Sequence, residues 1–426
     1  MTLPVAPEQP MTGQEHSLPW NSVWLLSAKA SQMGLAFLFW VVAARTASVT
    51  EVGVAAASVS AVILSTQLGI LGAGSAVIIA LGEGQDRRRV LDTAFSTVAV
   101  ASLVAAGAYL LFTGLVAGGA LSSTRTAPFA VVFLAAALLG TVLMCLDQVS
   151  IALQHTEGAA VRYTLAGALA LVAVLGAAAA GRPMTAALLL TCWTAGSAAA
   201  LLLGVVQLRR WVGYRFRFRL RPRRVRALLR LGVPNHLLTL SERLPAVLVP
   251  IVLAYVVSAE AVAYWYPAWM MAWLALTAPV SVGMIQFADI VRRPDAVVGT
   301  IRQGLLWSTL LGGAIFLMLG VGADFFLTML GESYADASVT ALRLLSLGLV
   351  AFIALQAYNA YCRAAGRTAE ATAVGVLVVV AVTAGTALAG AAGTAAVAQV
   401  WVGSVSVGAL VAVVRLRRLL RVGGER

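Results

Sequence analysis

The sequence has little charge. Only 11% of its 426 residues are Asp, Glu, Lys or Arg, whereas 61% are hydrophobic. Apolar runs of about 20 residues or more recur along the whole length, and a soluble globular chain does not have this composition. The sequence therefore predicts an all-α polytopic membrane protein.

Cysteine and histidine are also scarce, with three residues of each. Each cysteine stands alone in an apolar run, without the paired spacing of a disulfide framework or a metal site. The histidines are far apart and lack metal-ligand spacing. We therefore expect no bound metal, no cofactor and no catalytic residues.

The first 20 residues lack Lys and Arg and contain no short apolar core before a small-residue cleavage site. We expect no cleaved signal peptide, so that the first helix is itself the membrane signal. The net charge of +13 is compatible with nucleic-acid binding, but the basic residues fall between apolar runs, as in membrane proteins oriented by cytoplasmic arginine. We expect no nucleic-acid partner.

Apolar runs bounded by polar or turn residues predict twelve transmembrane helices. Their approximate positions are 21–43, 52–80, 90–117, 128–151, 159–180, 184–208, 231–257, 261–287, 301–322, 339–361, 370–391 and 395–414. The connections on one side hold 24 of the 30 basic residues and those on the other side hold four. This asymmetry predicts that both termini lie in the cytoplasm.

The longest basic run, "RRWVGYRFRFRLRPRRVRALLR", lies near the middle of the chain and divides it into two sets of six helices. Short outer turns with similar sequences, "SVTEVGV" and "SAEAVAY", precede the second and eighth helices, as expected for two parallel repeats with a cavity between them. The predicted organisation is a cytoplasmic tail (1–20), an N-lobe (21–208), an Arg-rich cytoplasmic linker (209–230), a C-lobe (231–414) and a basic cytoplasmic tail (415–426).

The linker alternates arginine with aromatic residues, a pattern that also occurs in proteins that bind single-stranded nucleic acid. Its place between membrane helices favours a different interpretation, in which the aromatic rings lie at the headgroups and the arginines bind anionic lipid. We therefore expect anionic membrane lipids as partners.

Ionisable groups inside a membrane helix are expensive, so those retained usually face a cavity or a partner. In the seventh span, Asn235, Thr239 and Glu242 share one helical face, and His236 and Arg243 form an adjoining stripe. Glu242 lies roughly 16 Å into the helix, close to the middle of the hydrocarbon layer. Because consecutive residues point about 100° apart, Glu242 and Arg243 are not expected to satisfy each other fully.

Other spans place polar residues in the same half of the bundle. These are Lys29 and Gln32 in the first span, Asp147 in the fourth and Asp289 in the eighth. The set predicts a hydrophilic vestibule open to the cytoplasm. The alternative is that Lys29 with Asp147, or Glu242 with Arg243 and a neighbour, form structural ion pairs between helices.

Three segments resemble polysaccharide-transport proteins, the O-antigen or lipid-linked oligosaccharide flippase-like branch of the multidrug/oligosaccharidyl-lipid/polysaccharide exporter superfamily. "AARTASVTEVG" followed by "LGILGAG" resembles the junction of the first two helices of that branch. "LTMLGESYADASVTALRLLSLG" resembles the segment between helices 9 and 10, and "RAAGRTAEATAV" resembles the inner loop that follows. The clustered glycines of "GILGAG" favour a close-packing helix face over a phosphate loop.

The resemblance implies two six-helix lobes that rock between inward-open and outward-open states and move lipid-linked oligosaccharide to the outer leaflet. Glycan polymerases or glycosyltransferases are the implied partners. On this basis Lys29, Gln32, Asn235, His236, Glu242 and Arg243 are candidates for substrate binding. Asp147, Glu242 and Asp289 are candidates for coupling or gating. The alternatives are a cation-coupled drug or small-molecule antiporter and a membrane-embedded glycan polymerase, although the short outer connections do not favour the polymerase.

Overall fold

The computed structural model describes residues 18–116, 124–153 and 155–423, and the side chains of residues 18–30, 294 and 421–423 lie outside that description. The described residues form fourteen α-helices and no strand. The helices are α1 (Leu18–Thr46), α2 (Val49–Gly69), α3 (Ala73–Gly82), α4 (Arg87–Val116), α5 (Ala127–Ala152), α6 (Thr156–Ala179), α7 (Ala186–Val212), α8 (Pro222–Val256), α9 (Ala259–Arg292), α10 (Val297–Val321), α11 (Ala323–Thr328), α12 (Glu332–Ala364), α13 (Thr368–Ala389) and α14 (Thr394–Gly423).

Among the described residues, eleven helical segments are long and apolar enough to cross a membrane. They match the second to twelfth predicted spans, and α2 with α3 together make one of them. Helix α1, with 29 residues, covers the first predicted span. The predicted all-α fold of a multi-pass membrane protein is therefore confirmed.

Several helices begin at a serine or threonine because the first amides of a helix lack partners within the helix. The side-chain oxygen of Ser48 accepts from the Glu51 amide, and that of Ser258 accepts from the Ala261 amide. These two caps start α2 and α9, the second helix of each lobe. The equivalent caps support the predicted similarity of the two turns, "SVTEVGV" and "SAEAVAY".

The second predicted span, 52–80, is not continuous. It breaks between α2 and α3, where Leu71 (φ 47°) and Gly72 (φ 74°) adopt left-handed backbone conformations. A β-carbon on Gly72 would lie 2.4 Å from the backbone of Gly232 in α8, and one on Gly74 would lie 2.5 Å from the side chain of Gln148. The predicted close-packing role of the "GILGAG" glycines is confirmed, since larger residues do not fit.

The helices form two groups that correspond to the predicted lobes. In the N-lobe, α1 packs on α6, α6 on α7, and α5 on α4 and α7. In the C-lobe, α12 packs on α9 and α14, α13 on α8, and α10 on α9. The lobes meet where α2 runs against α8 and α9. We call the end of the bundle that carries residues 213–221 and the starts of α4 and α8 the arginine-rich end.

The lobes touch at both ends of their interface. At the arginine-rich end, Nε2 of His236 in α8 donates to the Gln67 carbonyl of α2 at 2.9 Å. At the opposite end, the Arg45 guanidinium donates to the Met329 carbonyl at 2.9 Å and to the Thr328 carbonyl at 2.7 Å. Hydrogen bonds therefore join the two lobes at both of these places.

The predicted linker, 209–230, is largely helical, since α7 continues to Val212 and α8 begins at Pro222. The nine residues between them lie along α4. Asp92 of α4 accepts from the Tyr214 hydroxyl at 2.9 Å and from the Arg217 amide at 3.1 Å, and Ser96 accepts from the Arg219 amide at 2.8 Å. Burial, and then the hydrogen bond to Asp92, raises the pKa of Tyr214.

Phe216 and Phe218 point away from α4 and are exposed, by 54% and 62%. In an extended segment, residues two apart lie on the same side. The alternation of "RFRFRLR" therefore separates an aromatic side from an arginine side. This arrangement suits the predicted position of the rings at the lipid headgroups.

Candidate functional site

Glu242 of α8 is bound by two residues of α12. Its Oε2 accepts from the Arg363 guanidinium at 2.9 Å, and its Oε1 accepts from the Asn359 side-chain amide at 2.8 Å. The Glu242 and Arg363 side chains are only 12% and 11% exposed. Arg363 also donates to the Thr239 hydroxyl at 3.2 Å. Thr239 and Glu242 therefore share one face, as predicted, and that face meets α12.

The predicted tenth span ends at residue 361 and leaves Arg363 in an inner connection, and Asn359 was not among the predicted site residues. In the structure both lie in the last turns of α12, four residues apart and therefore on one helical face. The spacing of Asn359 and Arg363 in "NAYCR" is a signal that could have identified them, once α12 is extended to Ala364.

Arg243 differs from its neighbour. Its guanidinium makes no hydrogen bond or ion pair with any residue in the described part of the chain, and the residue is partly buried in α8. Glu242 and Arg363 of its own lobe lie near it, as do His236 of α8 and Tyr163 of the N-lobe. Arg243 is therefore a partly buried cation, close to the N-lobe, whose hydrogen-bond donors are free to bind a ligand.

Asp147, at the end of α5, belongs to a second buried network. Its Oδ1 accepts from the Arg162 guanidinium at 2.7 Å and its Oδ2 accepts from the Tyr163 hydroxyl. Arg162, which is 1% exposed, also donates to Ser150 at 2.9 Å and to Gln207 of α7. These bonds join α5, α6 and α7. Arg162 was not among the predicted site residues.

Glu242 and Asp147 thus each carry an arginine partner from their own lobe. The alternative that Glu242 forms a structural ion pair is consistent with the Arg363 contact, although the partner is not the adjacent Arg243. The Lys29 side chain lies outside the described residues, so its predicted place beside Asp147 stays a prediction. Tyr163 connects the two networks, since it binds Asp147 and faces Arg243.

Asn235, Gln32 and Asp289 lie apart from these networks. Asn235 and Gln32 are exposed, and the described contacts of Asn235 are limited to its carbonyl, which accepts from Thr239 at 3.2 Å. Asp289 is 47% exposed and lies 4.0 Å from Arg292, one turn further along α9. His236 binds the Gln67 carbonyl of α2 and lies near Arg243. The structure therefore places His236 near Glu242 and Arg243, but it does not bring Asn235, Gln32 and Asp289 to them.

A small cavity adjoins Glu242 inside the C-lobe. The centre of a water molecule can occupy a volume of about 20 Å³ in this cavity, so the cavity has room for a very small ligand. Its polar wall includes Ser241, Gln356 and Asn359, and its apolar wall is mainly aromatic. Two buried polar atoms on this wall, Gln356 Nε2 and Asn359 Oδ1, have no hydrogen-bond partner. The cavity could therefore bind a small polar species beside the carboxylate.

A metal site built from several acidic, histidine or cysteine side chains is absent from the described ranges, 18–116, 124–153 and 155–423. Glu242 is the one carboxylate beside the small cavity, and Arg363 already neutralises it. What this site offers chemically is a partly buried and unpaired cation, Arg243, next to a carboxylate held by an arginine and an amide.

Solved structures with the same fold are transporters. The chain is similar to the lipid II flippase MurJ in an inward closed conformation, with a TM-score of 0.71 and 12% identity over 93% of this chain and 87% of that chain. It is also similar to an inward-facing multidrug resistance MATE family transporter of the MOP superfamily, with a TM-score of 0.67 and 15% identity over 92% and 94%. An outward-facing multidrug resistance MATE family transporter of the MOP superfamily is similar as well, with a TM-score of 0.66 and 17% identity over 94% of each chain.

These likenesses confirm the predicted fold of the multidrug/oligosaccharidyl-lipid/polysaccharide exporter superfamily. No protein with a curated description matches the chain. The family model described as a polysaccharide biosynthesis protein matches residues 20–285, which is more than half of the 426 residues. The chain therefore belongs to the polysaccharide biosynthesis protein family.

Proposed function

We propose that the protein is a flippase that moves lipid-linked oligosaccharide, on a polyprenyl-phosphate type of carrier, across the bacterial inner membrane for surface polysaccharide assembly. Transport proceeds by alternating access of the two lobes, with both termini in the cytoplasm. The family match and the similarity to a lipid II flippase support a lipid-linked glycan as substrate. Glycan polymerases or glycosyltransferases are the proposed partners on either side of this step.

The observation that carries the proposal is the unpaired guanidinium of Arg243. A guanidinium at membrane depth is expensive, so one that is retained without a partner usually faces a cavity or a ligand of opposite charge. A guanidinium binds phosphate through two parallel hydrogen bonds, which suits the phosphate that joins glycan to lipid. In the proposed role, Arg243 binds this phosphate, while Lys29, Gln32, Asn235 and His236 contact the phosphate or the glycan as the lobes separate.

Glu242 is the proposed coupling group, with Asp147 and Asp289 in gating roles. Glu242 binds Arg363 and Asn359 of α12, and Arg243 follows it directly in α8. A phosphate on Arg243 would leave the Glu242 pair with Arg363 intact. In the proposed role, a movement of Arg243 with its phosphate is transmitted through Glu242 to the packing of α8 on α12.

Deletion of the gene tests the transport function. Lipid-linked oligosaccharide should accumulate on the cytoplasmic leaflet and surface polysaccharide should fall. Unchanged surface polysaccharide without such accumulation would contradict the proposal. Drug efflux that is independent of glycan genes would instead indicate an antiporter, and glycosidic bond formation by the purified protein would indicate a polymerase.

The role of Arg243 is tested by complementing the deletion with Arg243→Gln. Because a charge-assisted hydrogen bond contributes about 1.5 to 3 kcal/mol, we expect about a tenfold or greater loss of transport at normal expression. Arg302→Gln is the matched control, since Arg302 is an exposed arginine of α10. Equal transport by the two variants would remove Arg243 from the binding site.

A further inference from the structure

A second and larger cavity lies between the lobes at the arginine-rich end. It is enclosed by α3 and α4 of the N-lobe and by the first turns of α8 of the C-lobe. The centre of a water molecule can occupy a volume of about 350 Å³ in this cavity, far more than in the cavity beside Glu242. Its walls come from both lobes, so a ligand held there contacts both.

One side of this groove carries two arginines, one from each lobe. Arg224 of α8 is partly buried, and its guanidinium makes no hydrogen bond or ion pair with any residue that the structure describes. Arg89 of α4 binds Asp86 through Nε at 2.9 Å, in a pair whose side chains are 57% and 51% exposed. The terminal amino groups of Arg89 have no partner among the described residues. The groove therefore presents two sets of guanidinium donors and one carboxylate.

The charge of the surroundings is strongly positive. Further arginines flank the groove on the same turns of α4 and α8, namely Arg87, Arg88, Arg223, Arg226 and Arg230. The nearby acidic residues are Glu83 and Asp86. Such a potential attracts anions, and a guanidinium binds a phosphate group more specifically than a general positive field does.

The other side of the groove is apolar. It is formed by small residues of α3, including Ala76 and Ala80, together with Leu228 and Leu231 of α8. A soluble phosphate would leave these residues without a contact. A phospholipid places its phosphate beside arginines and its glycerol and first acyl carbons against alanine and leucine, so the groove matches an amphipathic ligand.

We propose that the groove between α3, α4 and α8 binds the phosphate group of an anionic phospholipid from the adjacent leaflet, with Arg89 and Arg224 as its ligands. The bound lipid bridges the lobes close to the contact of Gly72 with Gly232. It therefore stabilises the arrangement in which the arginine-rich end is closed. This site is separate from Arg243, and its occupancy does not depend on which substrate the protein transports.

The test uses the purified full-length protein in detergent, titrated with phosphatidylglycerol and followed by native mass spectrometry. We expect saturable binding and an increase in melting temperature. Arg224→Gln should weaken binding about tenfold, since one charge-assisted contact is lost. Arg89→Gln should act in the same direction from the other lobe. Arg226→Gln is the control, because Arg226 is exposed on the same helix and does not line the groove.

Equal binding by the Arg224→Gln and Arg226→Gln proteins would overturn the proposal, because it would indicate a general basic surface. Displacement of the lipid by inorganic phosphate at equal concentration would also overturn it, by showing a site for soluble anions. Melting temperatures without lipid identify any variant that fails to fold, and Arg89→Gln then provides an independent measurement. The readout is binding, so it is unaffected by whether the proposed flippase activity is correct.

Discussion

Arg363 donates to Glu242 at 2.9 Å, although 121 residues separate them in sequence. This contact gives the Glu242 carboxylate a partner within the C-lobe and leaves the adjacent Arg243 without one. The two adjacent charged residues of α8, Glu242 and Arg243, therefore have different roles. Glu242 holds α8 to α12, and Arg243 is available to a ligand.

Replacing Arg363 by methionine leaves the buried Glu242 carboxylate unpaired. We expect a loss of about 3 to 5 kcal/mol in the free energy of unfolding, because a buried charge then lacks compensation. The melting temperature of the purified protein measures this effect. Adding Glu242→Gln to Arg363→Met should restore part of the stability, since the uncompensated charge disappears.

The control for that experiment is Arg343→Gln, which breaks a pair with Asp324 of similar length, 2.7 Å, whose side chains are 55% and 66% exposed. An exposed pair contributes at most about 1 kcal/mol. Equal destabilisation by Arg343→Gln and Arg363→Met would show that the Glu242 pair is not buried as described.

Arg162 should be more important for stability than Asp147. Arg162→Met removes bonds to Asp147, Ser150 and Gln207 and leaves a carboxylate buried, so we expect a loss of about 3 to 5 kcal/mol. Asp147→Asn removes the counter-charge of Arg162 but keeps an oxygen acceptor and the Arg162 bonds to Ser150 and Gln207, so its cost should be smaller. Chemical or thermal unfolding of both variants checks the order, and a larger effect of Asp147→Asn would contradict it.

The contact of Gly232 with Gly72 should limit closure of the arginine-rich end. A β-carbon on Gly232 would lie 2.1 Å from the Gly72 carbonyl oxygen, which forces the two backbones apart. Gly232→Ala should therefore favour separation of the lobes at this end and lower transport. The measurement is the labelling of Gln67→Cys by a membrane-impermeant maleimide, since Gln67 is only 5% exposed at this contact.

Gly299→Ala is the matched control, because no atom lies within 4 Å of a β-carbon at Gly299. It should leave labelling unchanged. If Gly232→Ala labelled no faster than Gly299→Ala, the close approach of α8 to the break between α2 and α3 would not act as a barrier.

The Tyr214 hydroxyl should fix the linker to α4. Tyr214→Phe removes one hydrogen bond to Asp92 and should cost about 1 kcal/mol, with faster tryptic cleavage between Arg215 and Arg221. The raised pKa of Tyr214 sets the sign of the pH effect. The stabilisation from the hydrogen bond between Tyr214 and Asp92 is complete below about pH 10, the ordinary pKa of tyrosine. This stabilisation is lost as the pH rises further.

Melting temperatures of the natural protein and of Tyr214→Phe, compared between neutral and alkaline pH, measure this effect. The difference between the two proteins should be constant near neutrality and should shrink under strongly alkaline conditions. A difference that grew with pH would mean that the phenol does not donate to Asp92.

The helices were predictable because their apolar runs are long, and composition alone decides whether such a run enters a membrane. The break at Leu71 was not predictable, since it depends on the approach of Gly232, which is distant in sequence. The charged candidates were predicted from their expected depth in the membrane. Arg363 was missed as a partner because the predicted span ends at residue 361, whereas α12 continues to Ala364. Arg162 was missed because hydropathy does not indicate which polar residues of neighbouring helices meet.

The attachment of residues 213–221 to α4 sets a limit on motion. The amide of Arg219 is fixed to Ser96, and α8 begins three residues later, at Pro222. A fully extended chain gains about 3.6 Å per residue, so this tether spans at most about 11 Å. The two halves of the protein are thus joined by a short connection. This connection limits the distance that the first turn of α8 can move from α4, unless the bonds to Asp92 and Ser96 are broken.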